Sequence, residues 1–497
     1  MDIKRAKQEI KDSIEAYLKK DAFGEYLIPA VNQRPIILMG PPGIGKTQIM
    51  EQIAKECQIG LVAYTITHHT RQSAVGLPFI KEKTYGQEQY SVTEYTMSEI
   101  IASVYEKMEQ TGLREGILFI DEINCVSETL APTMLQFLQC KTFGNQKIPE
   151  GWMIVAAGNP PEYNRSVREF DVVTLDRIKK IDVEENFDVW KEYAYKAAVH
   201  PAVISYLELK KNHFYRIETT VDGKMFATAR GWEDLSKLIQ VYEMLGKEID
   251  RDVVYQYIQH LKIAKDFANY LELFRKYQKN YGIEDILRGH WTKETLDNLK
   301  VAAFDERLSV VGLLNSRLTE NFRKCYDTDI YVSRLYEFLL RYKETLDLDL
   351  ILYQAQEELE QKKKSELITR SEEQTEKLVV RKLESYQNLI KGEHLTGEEA
   401  FNKIKKEFSK ETSMRGREID ETSEMLTNTF NFMEDAFGDS QEMVVFVTEL
   451  NANYYSIQFI KENGCDQYYR YNKGLLFDER EKEILKKMEE VEGELGT

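Results

Sequence analysis

The sequence is short of several things, and each shortage excludes a class of protein. No apolar run approaches the roughly 18 residues that a membrane span needs, and the charged N-terminus, Met-Asp-Ile-Lys-Arg-Ala-Lys-Gln-Glu, lacks the apolar segment of a signal peptide. Cysteine is sparse. The five, Cys57, Cys125, Cys140, Cys325 and Cys465, show no paired C-x-x-C spacing, so reduced, mostly buried thiols in a cytoplasmic protein are expected. Positive charge is in deficit, with 67 Lys+Arg against 84 Asp+Glu and a net charge of −17, which argues against a general affinity for nucleic acid or anionic membrane. Neither a helix-turn-helix nor an RNA-binding signature is present, and no repeat stands out at solenoid periods.

What is present suffices for packed cores. With 497 residues, 42% of them hydrophobic, the chain is too long for one ordinary core and is expected to form two to four domains. Its most informative stretch is Arg34-Pro-Ile-Ile-Leu-Met-Gly-Pro-Pro-Gly-Ile-Gly-Lys-Thr47. Pro35 to Met39 has the length of a buried strand, and Gly40-Pro41-Pro42-Gly43-Ile44-Gly45-Lys46-Thr47 fits G-x-x-x-x-G-K-[ST] without a mismatch. A helix is predicted at once after it, with Ile49, Ile53 and Cys57 on one face. The glycines let the backbone approach an anion, so that successive N–H groups and a helix N-terminus point at phosphate oxygens. Lys46 supplies a mobile charge for the outer phosphates and Thr47 a hydroxyl for Mg²⁺.

Around this loop the chain reads in order. Ile3, Ala6, Ile10, Ile14 and Leu18 predict an amphipathic helix over residues 2–20, packed beside the nucleotide. Residues 59–67 read as a second strand, residues 77–94 as an inserted hairpin, and a helix capped by Thr96 or Ser98 follows. The adjacent His68 and His69 lack ligand-spaced acids or cysteines, so no metal site is expected there. Gly116-Ile-Leu-Phe-Ile-Asp-Glu-Ile-Asn124 reads as a buried parallel strand whose C-terminal edge carries two carboxylates. Asp121 would hold Mg²⁺ and Glu122 would polarise the attacking water. A helix is expected over Ser127 to Cys140, then a small hairpin or loop at 141–151. The next strand, Trp152 to Ala157, ends in Gly158-Asn-Pro-Pro161, where Asn159 could orient the same water.

With these residues in view, the chain resembles the AAA+ ATPases of the MoxR group and is similar also to the CbbQ and NorQ activators. Gly40 to Thr47 looks like its Walker A, Ile117 to Glu122 its Walker B, and Ala157-Gly-Asn-Pro160 its sensor 1. Leu175-Asp-Arg-Ile178 is similar to the segment that carries an arginine finger, with Ile178 where the family has Phe, and Phe226 to Leu235 is similar to the start of the sensor 2 helix. The resemblance implies ATP and Mg²⁺ as ligands, Arg177 reaching a neighbour's ATP, with Arg165 and Arg168 as competitors for that role, and Arg230 contacting the γ-phosphate of its own. It further implies a homo-oligomer, a hexameric ring, acting on a partner protein that contains a von Willebrand factor A domain. Residues 77–94 and 141–151 would line or border the ring's channel.

The implied fold is an α/β P-loop AAA+ αβα core with a parallel sheet over residues 1–187 and a helical lid over 188–260. A charged α-helical region over 261–435 and a C-terminal helical, aromatic segment over 436–497 would follow. Beyond residue 260 the resemblance gives out, glycine and proline thin, and apolar spacing such as Leu335, Phe338, Leu339, Tyr342 and Leu346 predicts long helices. Residues 354–405 read as a solvated helical hairpin or a docking arm. Three functions follow: an ATP-hydrolysing ring that remodels a partner, a nucleotide-gated scaffold whose helical half is the working surface, or a nucleic-acid motor, which the acidic balance disfavours.

Overall fold

The computed structural model describes residues 1–68, 74, 76–143, 146–163, 167, 170–221 and 223–474. Two compact units divide the chain. The first comprises Met1–Val189, Thr228–Arg230 and Gln356–Gln374; the second comprises Trp190–Ala227, Gly231–Ala355 and Thr375–Thr497.

In the first unit, helix α1 (Ile3–Leu18) is started by Asp2, whose carboxylate accepts from the Arg5 backbone N–H at 2.8 Å. Then come β1 (Ile36–Met39), α2 (Lys46–Cys57), β2 (Gly60–Thr65), the antiparallel hairpin β3 (Pro78–Tyr85) and β4 (Glu88–Tyr95), and α3 (Glu99–Thr111). They are followed by β5 (Gly116–Asp121), α4 (Ala131–Cys140), β6 (Thr142–Phe143) with β7 (Gln146–Lys147), β8 (Trp152–Gly158), the single turn α5 (Val172–Leu175) and β9 (Lys179–Asp182).

Five strands form one parallel sheet in the order β2-β5-β8-β1-β9. Because successive side chains of a strand point to opposite faces, β1 feeds two cores. Ile36 and Leu38 join Ala6 and Ile10 of α1 and Ile49 and Ile53 of α2, while Ile37 joins Ile100 and Ile101 of α3 and Met134 and Phe137 of α4. The result is the expected αβα sandwich around a parallel sheet. Glycines start β2 and β5 because the Trp152 ring lies across both strands: a Cβ at Gly60 or Gly116 would come within 2.9 or 2.7 Å of it.

Local details depart from the sequence expectation. Ser98 stands at the N-cap of α3, but its hydroxyl donates to the Ala74 carbonyl instead of capping the helix. Helix α4 starts at Ala131 rather than Ser127, with Pro132 in its first turn, where a missing N–H costs nothing.

The second unit is almost wholly helical, and no proline follows Pro201 in the sequence. Helix α6 (Phe187–Lys196) crosses the boundary between units; α7 (Pro201–Leu209), the hairpin β10 (Arg216–Thr220) and β11 (Gly223–Ala227), and α8 (Ala229–Met244) come next. Then follow α9 (Arg251–Tyr257), α10 (Leu261–Asn280), α11 (Ile283–Leu287), α12 (Lys293–Val301), α13 (Phe304–Thr345), α14 (Leu348–Lys364), α15 (Arg370–Gly392), α16 (Gly397–Phe437), α17 (Gln441–Ala452) and α18 (Tyr454–Asn463), with α14 from Gln356 and α15 up to Gln374 belonging to the first unit. The 42-residue α13 packs along the 41-residue α16 and against α17 and α18. Trp232, Tyr206 and Phe267 meet edge-on or tilted, with ring centroids 5.1–5.8 Å apart, and form one aromatic centre. The aromatic stretch near residue 450 contributes Phe446 and Phe459 to a core. Among the described residues no helix is long and apolar enough to cross a membrane.

Candidate nucleotide site

The site is built at the C-terminal ends of three neighbouring strands of the parallel sheet, β1, β5 and β8, where an open α/β sheet places its ligands. After β1 the chain turns tightly through the loop. Gly40 packs so close to the chain after β9 that a Cβ would meet the Val183 carbonyl at 2.6 Å. Gly43 and Gly45 hold φ of +76° and +92°, a region that L side chains rarely adopt. Gly45 is the N-cap of α2, and no side chain caps that helix, so its first-turn N–H groups face the loop. Ile44 packs against the core shared by α1 and α2.

Lys46 is buried and donates to three acceptors: the carbonyls of Gly40 and Pro41, both at 2.8 Å, and Asn159 Oδ1 at 2.9 Å. None carries a full charge, and no ion pair reaches Lys46 among the described residues. Burial pushes its pKa down to about 8; the Arg230 charge adds to that and Asp121 opposes it.

Next to it, Thr47 Oγ1 donates to Asp121 Oδ2 at 2.9 Å. The other Asp121 oxygen accepts the Glu122 N–H at 2.9 Å, and Glu122 itself is left-handed, with φ of +58°, so the chain turns as soon as β5 ends. Thr67 Oγ1 donates to Glu122 Oε2 at 2.8 Å. On the β8 side, Asn124 fixes the loop that carries Asn159: its Nδ2 donates to the Asn159 carbonyl at 2.8 Å and its Oδ1 accepts the Asn159 N–H at 3.3 Å. Gly158 makes room for this, since a Cβ there would come 2.6 Å from Asn124 Oδ1.

Arg230 enters from the first turn of α8. Its N–H donates to the Gly43 carbonyl at 3.2 Å, and a Cβ at Gly43 would come 3.3 Å from Thr228 and 3.5 Å from Arg230 Cβ. Arg177 does not join the cluster. Its guanidinium is exposed and donates to Gln139 Oε1 of α4 at 2.6 Å, beside the exposed Val172 and Val173. Arg165, Arg168 and His69, and the side chain of His68, lie outside the described residues.

The structure thus brings together Gly40, Pro41, Gly43, Gly45, Lys46, Thr47, Asp121, Glu122, Asn159 and Arg230 and leaves Arg177 at the surface. Three supporting residues went unread in the sequence: Thr67, Asn124 and Thr228. Asn124 carried one signal, a small amide two residues after the carboxylate pair, and Thr67 another, a hydroxyl at the end of the second strand.

Amide donors and a buried ammonium without an anionic partner complement a phosphate chain, which places the unit among the P-loop nucleotide-binding domains. More narrowly, residues 36–174 match the family model described as the ATPase family associated with various cellular activities (AAA), so this part of the chain is similar to the ATPase domains of that family. No curated protein matches the sequence.

Proposed function

We propose that the protein is a Mg²⁺-dependent AAA+ ATPase of the MoxR type that works as a ring, hexameric by the family's habit, and remodels or activates a partner protein. The observation that carries the reading is Lys46. A desolvated ammonium held only by neutral acceptors gains most from an incoming anion, and the phosphates of ATP supply one.

The donor set also fits the metal. A hydroxyl and a carboxylate 2.9 Å apart, Thr47 and Asp121, are hard oxygen ligands of the kind Mg²⁺ takes beside phosphate oxygens. Bound there, Mg²⁺ would neutralise charge on the outer phosphates. Glu122 then acts as the base that takes the proton of the attacking water, Asn159 orients that water, and Lys46 with Arg230 meets the charge on the γ-phosphoryl oxygens. Thr67 and Asn124 position Glu122 and Asn159.

Arg177 is the trans-acting residue in this reading. Its exposure among the apolar side chains of Val172, Val173 and Leu175 supports a protein contact at that surface. The partner, in the same reading, is a protein with a von Willebrand factor A domain.

Glu122→Gln is expected to keep ATP binding while turnover falls about 10²- to 10⁴-fold, the share that a positioned base contributes. Arg177→Ala is expected to lose turnover only in the assembled state, and added catalytically dead subunits that retain Arg177 should partly restore it. Hydrolysis at the wild-type rate by either variant sinks the assignment. Capture on Glu122→Gln with ATP, compared with capture without nucleotide, tests the partner: an ATP-dependent partner carrying that domain supports the reading, and nucleotide-independent capture counts against both this reading and a nucleotide-gated scaffold.

A further inference from the structure

The helical unit contains a cavity of about 150 Å³ among α7, α8, α13 and α17, formed entirely by residues of that unit. Its wall is mainly apolar, with Val199, Ile204, Leu209, Leu308, Val311 and Val445 contributing. Gly312, in the middle of α13, lets α7 approach closely: a Cβ there would come 2.7 Å from Ser205 Oγ.

One residue that lines this space carries a buried amide without a partner. The side chain of Asn315, on a residue only 4% exposed, lines the cavity, and neither its Nδ2 nor its Oδ1 makes a hydrogen bond among the described residues. Buried amides are costly to leave unpaired, and native folds rarely do so. Neighbouring polar groups show that this unit satisfies such needs elsewhere: Lys191 binds Glu208 at 2.6 Å and Glu449 at 2.8 Å, and Ser205 bonds Tyr270 at 2.7 Å. Tyr386, Ser440 and Ser456 of this unit also bury a hydroxyl without a partner, but Asn315 leaves both a donor and an acceptor unmet and lines a space where a ligand has room.

The unmet valences specify the ligand's chemistry. A carboxamide with a free donor and a free acceptor side by side pairs with another amide edge through two parallel hydrogen bonds. Both atoms are unpaired, so the conclusion holds whichever way the group is flipped. A carboxylate offers no donor and would face Glu208, Glu320 and Glu449 with Arg323 as the lining cation. Water can satisfy Asn315 as well, and a ligand amide that displaces it keeps both hydrogen bonds while its apolar body packs on the apolar part of the wall. The volume accommodates a ring of about six atoms.

We propose that this cavity is a binding site for a small neutral amide with an apolar or aromatic body, anchored by Asn315. The site is independent of the phosphate loop, so its failure would leave the ATPase reading untouched. The test uses the full chain, with benzamide as the probe and toluene as its amide-free counterpart, titrated by calorimetry and ligand-observed NMR. Benzamide is expected to saturate one site at least about tenfold more tightly than toluene, the discrimination that a buried hydrogen-bonding group provides. Asn315→Leu keeps the volume and removes the amide; it should lose about tenfold or more in benzamide affinity while toluene is unaffected. Ser316→Trp, at a half-exposed lining position, should block both probes with helicity and ATP binding retained, which keeps the test decisive if the first variant folds poorly. Benzamide binding no tighter than toluene would reduce the site to an apolar void. Unchanged benzamide affinity in both variants would place it elsewhere, and absence of binding by either probe would leave a water-filled cavity; each of these overturns the proposal.

Discussion

Each unit of the molecule buries a lysine, and the two are handled in opposite ways. Lys191, in the helical unit, is desolvated, but the carboxylates of Glu449 and Glu208 outweigh that and raise its pKa. Glu449 is held in turn by the Tyr195 hydroxyl, so the charges are met from within the fold. Lys46, in the nucleotide unit, is desolvated in the same way and among the described residues receives only carbonyls and an amide, and its pKa falls to about 8. A buried charge that the fold completes is structural. One that the fold leaves incomplete is an invitation to a ligand, and the difference lies in the partner atoms, not in the burial.

The comparison can be broken by removing each ammonium in turn. Lys191→Met leaves two carboxylates in a desolvated place and should cost about 3–5 kcal/mol of stability, read by urea unfolding of the full chain, with ATP affinity unchanged. Lys46→Met should shift the same unfolding by no more than about 1 kcal/mol, because the lost hydrogen bonds are offset by the removal of a desolvated charge, and it should abolish ATP binding. Equal destabilisation by the two substitutions would erase the distinction.

A pH series sharpens it. Because the pKa of Lys46 is depressed from 10.5 to about 8, the folded protein sheds this proton before the unfolded chain does. The group therefore weighs against folding below about pH 8, and that penalty is relieved as pH rises toward 10.5. An anion that needs the ammonium should accordingly bind less well as pH climbs, by up to about tenfold per unit above pH 8. Calorimetric titration of a non-hydrolysable ATP analogue between neutral and alkaline pH checks this; a flat profile would mean that Lys46 is not the charge the phosphates meet.

The smallest effect concerns support rather than chemistry. Asn124→Ala strips both hydrogen bonds from the Asn159 backbone and should cost about 1–3 kcal/mol. Turnover should fall with KM for ATP little changed, since among the described residues the hydrogen bonds of the Asn124 side chain go to the Asn159 backbone and not to the phosphate loop. A matching rise in KM would instead place Asn124 in binding.

Much of this was legible before any coordinates. The strand–loop–helix at Ile36 to Cys57, the acidic end of β5 and the helical character of the second half all follow from consecutive residues. Their chemistry is local: apolar runs, glycines where φ must be positive, and a long stretch without proline. The helix pattern misled at one point. Leu346 extends the apolar spacing of Leu335 to Tyr342, yet it is the left-handed C-cap of α13, with φ of +52°, and is 40% exposed, because spacing marks a face and says nothing of where a helix stops.

By itself, then, the sequence determined the phosphate loop, the carboxylates that face it and the order of the strands' contents, since each depends on neighbours along the chain. Only the tertiary structure decided which side chains complete one another: Thr67 with Glu122, Asn124 with Asn159, Arg230 against Gly43, and the Asn315 amide with nothing among the described residues. Those relations join residues far apart in the chain, or withhold a partner, and neither spacing nor composition records a distance in space.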